Sequence, residues 1–219
     1  MNWFKHIGEW YKVPEIRDFV STSYMRKVLI YLNKEYINKI IYPKKSNVFK
    51  CFKLCKPEKL KVVILGTEPY NNGMATGLCF ANNNEKLKLS PELENIILKV
   101  ENDVYLGLNL DFDITLEDWA KQGVLLLNTS LTVESKKKHS HLRIWNNFIK
   151  NILKIISENY PGTIFVLVGK KANGFKKTKY YNLEKTCNVI STTKDLSNIF
   201  NNINNIIESQ NGKEENIKW

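Results

Sequence analysis

Four short apolar runs constrain this chain more than anything else in it: "KVVILG" (61–66), "GVLLLN" (123–128), "TIFVLVG" (163–169) and "NVIST" (188–192). Each is rich in Val, Ile or Leu and nearly continuous rather than alternating, as strands buried on both faces of a parallel sheet are. Helical patterns separate them. "IRDFVSTSYMRKVLIYLNKEYINKII" repeats Ile16, Phe19, Val20, Tyr24, Val28, Leu32 and Tyr36 at helical spacing and predicts one long amphipathic helix. "SPELENIILKVENDVYLGL" opens with Ser90 as N-cap and Pro91 at the first helical position. "TLEDWAKQG" begins at Thr115 with an acidic first turn and stops at Gly123. "WNNFIKNILKIISENYPG" and "LSNIFNNINNIIESQ" supply two more helices. This alternation predicts an α/β fold: a central four-stranded, mainly parallel sheet with right-handed crossovers and helices on both faces. No repeat or Gly/Ser linker divides the chain, so residues 1–219 are read as one domain, with a loose polar tail at about 210–218 and Trp219 docked.

Composition excludes several classes. No apolar run approaches a membrane span, and the start "MNWFKHIGEWYK" lacks the apolar core of a signal peptide. Cys51, Cys55, Cys79 and Cys187 have no CxxC spacing, which argues against zinc and for reduced thiols. An intracellular place follows: cytoplasm, nucleoid or nucleus, that of an infected host cell included. "VGKKANGFKK" lacks the GxxxxGK[ST] spacing of a triphosphate loop. Neither a cofactor nor a metal is expected. The net charge of +11 points to a polyanionic partner, although a chain this rich in Lys, Asn and Ile carries the codon signature of an A/T-rich or viral genome, which alone supplies lysine.

In open α/β sheets, ligands bind beyond the carboxyl ends of the strands. After the first strand come Thr67, Glu68, Pro69 and Tyr70; the second ends on Asn128; Gly169, Lys170 and Lys171 follow the third; "TTKDLS" follows the fourth. A strand-end Asn has two readings. Its amide can satisfy loop backbone, or it can read the edge of a pyrimidine with one acceptor and adjacent donors. His139 and His141 stand beside lysines 136–138, as a solvated basic loop or a DNA edge. Trp119 and Trp145 sit at helical apolar positions and read as core, as does Cys79 beside Phe80.

"GTEPYNNGMATGLCF" (66–80), "WAKQGVLLLNTSLTV" (119–133) and "KHSH" (138–141) resemble, in order and spacing, the family-1 uracil-DNA glycosylases, with their GQDPYH, GLAF or GLCF, QGVLLLNTxLTV and HSH runs. "IYPKKSNVFKCFK" (41–53) and the ending "NIKW" extend the resemblance over nearly the whole chain. It implies an enzyme fold that flips deoxyuridine from DNA into a pocket at the sheet's carboxyl edge. On that resemblance Phe80 stacks on uracil, Asn128 bonds its edge, Tyr70 blocks the position of thymine's methyl group, and Thr67 belongs to the same substrate-binding set.

Departures fall on the chemistry. Glu68 stands where the family has the aspartate that stabilises the sugar's developing positive charge. The extra methylene displaces the carboxylate by about an ångström, a misplacement that can cost ~100-fold. Thr192 replaces the histidine that donates to the departing base, and Asn71 the histidine that closes GQDPYH. Lys194 is close enough in sequence to act as a substitute cation. In the DNA grip, Glu92 replaces a phosphate-binding serine and Lys170 another, while His139, Lys194, Leu196 and Ser197 complete the set. Leu196 matches the leucine that fills the vacated base stack, but the short stretch from there to Trp219 puts it near a helix start. The resemblance with these departures implies a protein that recognises uracil in single- or double-stranded DNA, with weakened or lost bond hydrolysis. The alternative is an active, divergent repair enzyme using Glu68. Replication or inhibitor proteins are the protein partners it implies.

Overall fold

A computed structural model describes residues 3–83, 89–108, 111–193 and 195–219, and of Phe4 and Lys5 the backbone alone. The four apolar runs become β2 (Val62–Gly66), β3 (Val124–Asn128), β5 (Ile164–Val168) and β6 (Asn188–Thr192), parallel throughout, in the order β3-β2-β5-β6. β1 (Ile41–Tyr42) and β4 (Val133–Glu134) form a separate antiparallel ribbon that the sequence reading did not anticipate. Every residue of β2 and β3 is buried, which accounts for their continuous apolar reading. β6 lies at the sheet's edge and is only partly covered.

The helices are α1 (Pro14–Val20), α2 (Ser23–Asn38), α3 (Lys50–Leu54), α4 (Pro91–Asp103), α5 (Glu117–Lys121), α6 (Leu142–Asn159), α7 (Gly169–Asn173) and α8 (Ile199–Asn211). One long helix was expected from residue 16; two form instead. Thr22 leaves the helical conformation, and its hydroxyl accepts from Met25 N as the N-cap of α2, a local bond that overrides the continuous periodicity. Ser90 caps α4 as expected, its hydroxyl accepting from Leu93 N at 3.2 Å.

Ile64, Leu126, Val166 and Val168 meet Ile96 of α4, Trp119 of α5, and Ile199 and Phe200 of α8 on one face of the sheet. Side chains alternate along a strand, so Val63, Leu65, Leu125, Leu127, Phe165 and Leu167 point to the opposite face. There α6 buries Trp145, Phe148, Ile149, Ile152 and Ile156, with Phe148 in ring contact with Phe19, Phe49 and Phe52. One apolar cluster runs from Trp3 to Trp219. The loose tail is not borne out. Ile217 N donates to Asn204 Oδ1, Gln122 bonds both the N–H and the carbonyl of Lys218, and Trp219 stacks edge-on against Trp119 and Phe200 at 4.9 and 5.0 Å. Backbone hydrogen bonding and a buried ring outweigh the segment's polar composition. Among the described residues no helix is long and apolar enough to cross a membrane.

Candidate active site

Strand register gathers the candidate residues. Gly66 pairs with Asn128 and Val168 with Thr192, so four strands end along one edge and their following loops share it. Gly66 makes the floor. A Cβ there would lie 2.2 Å from Cys79 Sγ, 3.0 Å from Asn128 Oδ1 and 3.3 Å from the tip of the Phe80 ring, so the absent side chain lets ring and amide converge. Asn128 is 7% exposed, with its Oδ1 facing the Gly66 floor. An amide so placed can offer its acceptor and donors to a ligand at that floor.

Tyr70 is fixed beside them. Its hydroxyl lies 2.7 Å from Ser90 Oγ and 3.3 Å from the carbonyl oxygen of Phe80. Burial pushes its phenol pKa up, so it remains a protonated donor. The α4 cap therefore braces the ring, a link that a Ser-Pro helix start does not reveal by itself. Phe80 takes a left-handed backbone, φ +66°, and turns its ring to the Asn128 side of the floor. Thr67 contributes backbone, its carbonyl accepting from Thr129 Oγ1 at 2.6 Å and Ser130 N at 3.2 Å, which ties the first loop to the second.

Glu68 is held from a distant segment. Its Oε2 accepts from His139 N at 2.7 Å, and Oε1 lies 3.3 Å from His139 Nδ1, with the Glu68 side chain 12% exposed and that of His139 half-exposed. His139 thus holds the carboxylate as well as reaching the surface. The loop carrying it is pinned on several sides. Ser135 N donates to Ile40 O, Lys136 N to Asn71 O, and Glu134 N to Ser140 Oγ. His141 is not part of a solvated loop. It is 1% exposed, with Nδ1 2.8 Å from Thr132 Oγ1 and Nε2 3.4 Å from Glu35 Oε2, and Trp145 Nε1 donates to the same threonine. Burial lowers its pKa, against the upward pull of Glu35. Burial pushes Glu35 up, but hydrogen bonds from Lys39 and His141 outweigh it and hold the carboxyl below its ordinary value. Thr132 falls in the family-like run 119–133, whereas nothing in the sequence marks Glu35 as support for the site.

The fourth loop departs most from expectation. Thr192 Oγ1 donates to the Asp195 carbonyl at 2.5 Å, so its proton is engaged within the loop. Ser197 Oγ receives Lys99 Nζ and donates to Asp195 Oδ1, both at 2.6 Å, leaving its hydroxyl occupied. Lys194 lies outside the described residues. Leu196 is not at a projecting tip: it is 7% exposed, packed in a niche with Phe80, Trp119 and Val168 whose free volume is only about 10 Å³. Asn198, two residues on, is already the N-cap of α8, so no chain remains to carry the leucine outward. Lys170 and Glu92 are exposed. Among the described residues no cluster of three or more His, Cys, Asp or Glu is arranged to hold a metal.

A family model described as "Uracil DNA glycosylase superfamily" matches residues 52–210. Curated proteins named uracil-DNA glycosylase match over most of the chain. One from Aliarcobacter butzleri is 42% identical over 165 residues, 74% of each chain, and one from Mycoplasmopsis pulmonis 39% identical over 198 residues, 86% of this chain and 87% of that one. The chain belongs to the uracil-DNA glycosylase superfamily. In fold it is similar to mimivirus uracil-DNA glycosylase, with a TM-score of 0.84 at 20% identity over 97% of this chain and 88% of that one. A variant of that mimivirus protein solved in complex with UGI gives the same TM-score. Glu68 and Tyr70, on the loop after β2, and Asn128, at the end of β3, thus stand along one edge of a uracil-DNA glycosylase fold, with the Phe80 ring turned to the same floor.

Proposed function

We propose that this protein recognises uracil flipped from DNA and hydrolyses its N-glycosidic bond with Glu68, at a rate weakened by the missing histidine. The observation that carries the reading is the Glu68 carboxylate, clasped by His139 on the loop that leaves Gly66, the floor where the Asn128 amide and the Phe80 ring converge. Phe80 stacks on the base and Asn128 bonds its edge. Tyr70, locked by Ser90, fills the space a 5-methyl group needs. As the bond breaks, positive charge grows on the sugar, where a fixed carboxylate stabilises it without reorganising. Negative charge grows on the uracil oxygen, and there the engaged hydroxyl of Thr192 is a poor donor. Loss of one such donor typically costs ~100- to 1000-fold. Repair at the full rate is the second reading, favoured by the 37–42% identity to proteins named for the activity. Lys170, Lys136 and Lys138 serve the phosphates, while Lys137 is paired with Glu134 at 2.5 Å. The work is intracellular, where DNA is, and an inhibitor protein is a fitting partner, as UGI is for the mimivirus neighbour.

The test is excision with protein in excess over a labelled single-stranded oligonucleotide holding one deoxyuridine, followed by alkaline cleavage of abasic sites. A slow strand break is expected, lost in Glu68→Gln and Asn128→Ala and accelerated in the double variant Glu68→Asp with Thr192→His. No break from the unaltered protein, with uracil-dependent binding retained, would make it a reader of uracil. A rate that the double variant leaves unchanged would refute the weakening.

A further inference from the structure

The chain between β5 and β6 carries basic and aromatic groups that the uracil pocket does not use. α7 leaves the rim with Lys170 and Lys171 exposed; Gly169, where it begins, has its Cβ position 3.8 Å from Thr67 Oγ1. Phe175 and Leu183 bury their side chains, and between them the chain makes a tight excursion, residues 177–182. That excursion is pinned. Thr178 N donates to Tyr181 O at 2.8 Å, and Thr178 Oγ1 accepts from Tyr180 N at 3.1 Å and Tyr181 N at 3.3 Å. Lys177 pairs with Asn182 as an antiparallel bridge, and Leu183 N donates to Lys176 O at 3.0 Å. Tyr181 tucks against the core while Tyr180, at the tip, is 58% exposed. Lys179 Nζ covers one face of the Tyr180 ring, 4.7 Å from its centroid. Lys179 and, more weakly, Lys150 of α6 draw the phenol pKa below its ordinary value, which marks the field there as positive. Lys176 is committed to Glu184 at 2.6 Å, whereas among the described residues Lys150, Lys170, Lys171, Lys177 and Lys179 have no carboxylate within ion-pair distance.

At 58% exposure, the Tyr180 ring gains little from packing at the loop tip. Lysines alone would serve a phosphate backbone of either duplex or single strand. A ring interleaved with them adds what only unpaired bases offer, a π face free to stack. We propose that Tyr180, flanked by Lys177 and Lys179, is a stacking platform for a base of single-stranded DNA. This rests on the reading of the pocket as a DNA site.

The experiment is fluorescence-anisotropy titration of a labelled thymidine oligonucleotide and of its duplex with adenosine, with the unaltered protein, Tyr180→Ala and Tyr180→Phe. Tyr180→Ala should weaken single-strand binding about fivefold or more, the low end of one lost base stack, and Tyr180→Phe should retain it. Lys177→Gln with Lys179→Gln should lower the slope of log affinity against log salt by about 1.4 on the single strand. Unchanged single-strand affinity in Tyr180→Ala, or an equal loss on duplex, would overturn the platform. Because the oligonucleotide contains no uracil, that failure is separate from failure of the pocket, which shows as uracil preference surviving Asn128→Ala.

Discussion

Leu196 distinguishes a leucine that belongs to the DNA from one that belongs to the core. Its side chain is 7% exposed and its niche has only about 10 Å³ to spare, room for one water. The walls are Ile64, Leu126 and Val166, on strands that cannot slide inward without breaking the sheet, so Leu196→Ala leaves a hole rather than a collapse. Leucine-to-alanine changes at such sites cost about 3 kcal/mol or more, rising by ~24 cal/mol for each Å³ of cavity. In a domain of this size each kcal/mol moves the melting midpoint by ~2–4 °C, so a fall of roughly 6–12 °C is expected. An exposed leucine at a loop tip would change stability by no more than ~0.5 kcal/mol. Urea unfolding followed by tryptophan fluorescence reads the stability, and anisotropy on a uracil-containing duplex reads the grip. A stability change below ~0.5 kcal/mol together with weakened duplex binding would refute the buried assignment and return Leu196 to the DNA.

His141, buried with its pKa held below the ordinary 6.5, takes up a proton more readily when unfolded than when folded. Stability is therefore full above pH 6.5 and declines as pH falls below it, and His141→Gln should flatten that decline in denaturation midpoints measured across the range. An unaltered slope would show that His141 is not the group responsible. Trp219→Ala removes a ring wedged between Trp119 and Phe200 and should cost about 3 kcal/mol while opening Trp119 to acrylamide quenching. A cost under ~0.5 kcal/mol would mean that the tail is loose after all.

The sheet was legible because burial on both faces leaves a strand no polar positions, and each apolar run matches its strand to within a residue at either end. Asn128, Phe80 and Tyr70 were legible as candidate site residues because the loops after β2 and β3 carry runs similar to those of one family. What escaped depends on contacts between distant residues. The clasp on Glu68 comes from 71 residues further along, and the burial of His141 depends on a helix 106 residues earlier. A lysine-flanked histidine reads as solvated until Thr132 and Glu35 are seen to enclose it. The break at Thr22 escaped for the opposite reason: a single cap hydrogen bond interrupts a periodicity that continues on both sides.

The family match begins at residue 52, but the support of the catalytic edge begins earlier. Lys39 joins Glu35 at 2.7 Å to Glu134 at 3.3 Å, Ile40 accepts from Ser135, and Glu35 lies 3.4 Å from His141 Nε2, so the end of α2 grips both ends of the loop that presents His139 to Glu68. A recombinant fragment cut at residue 52 would keep the strand-end loops and lose the brace that aims them. Relatives align well upstream of that cut, one over 198 residues, and the mechanical unit reaches upstream of Glu35.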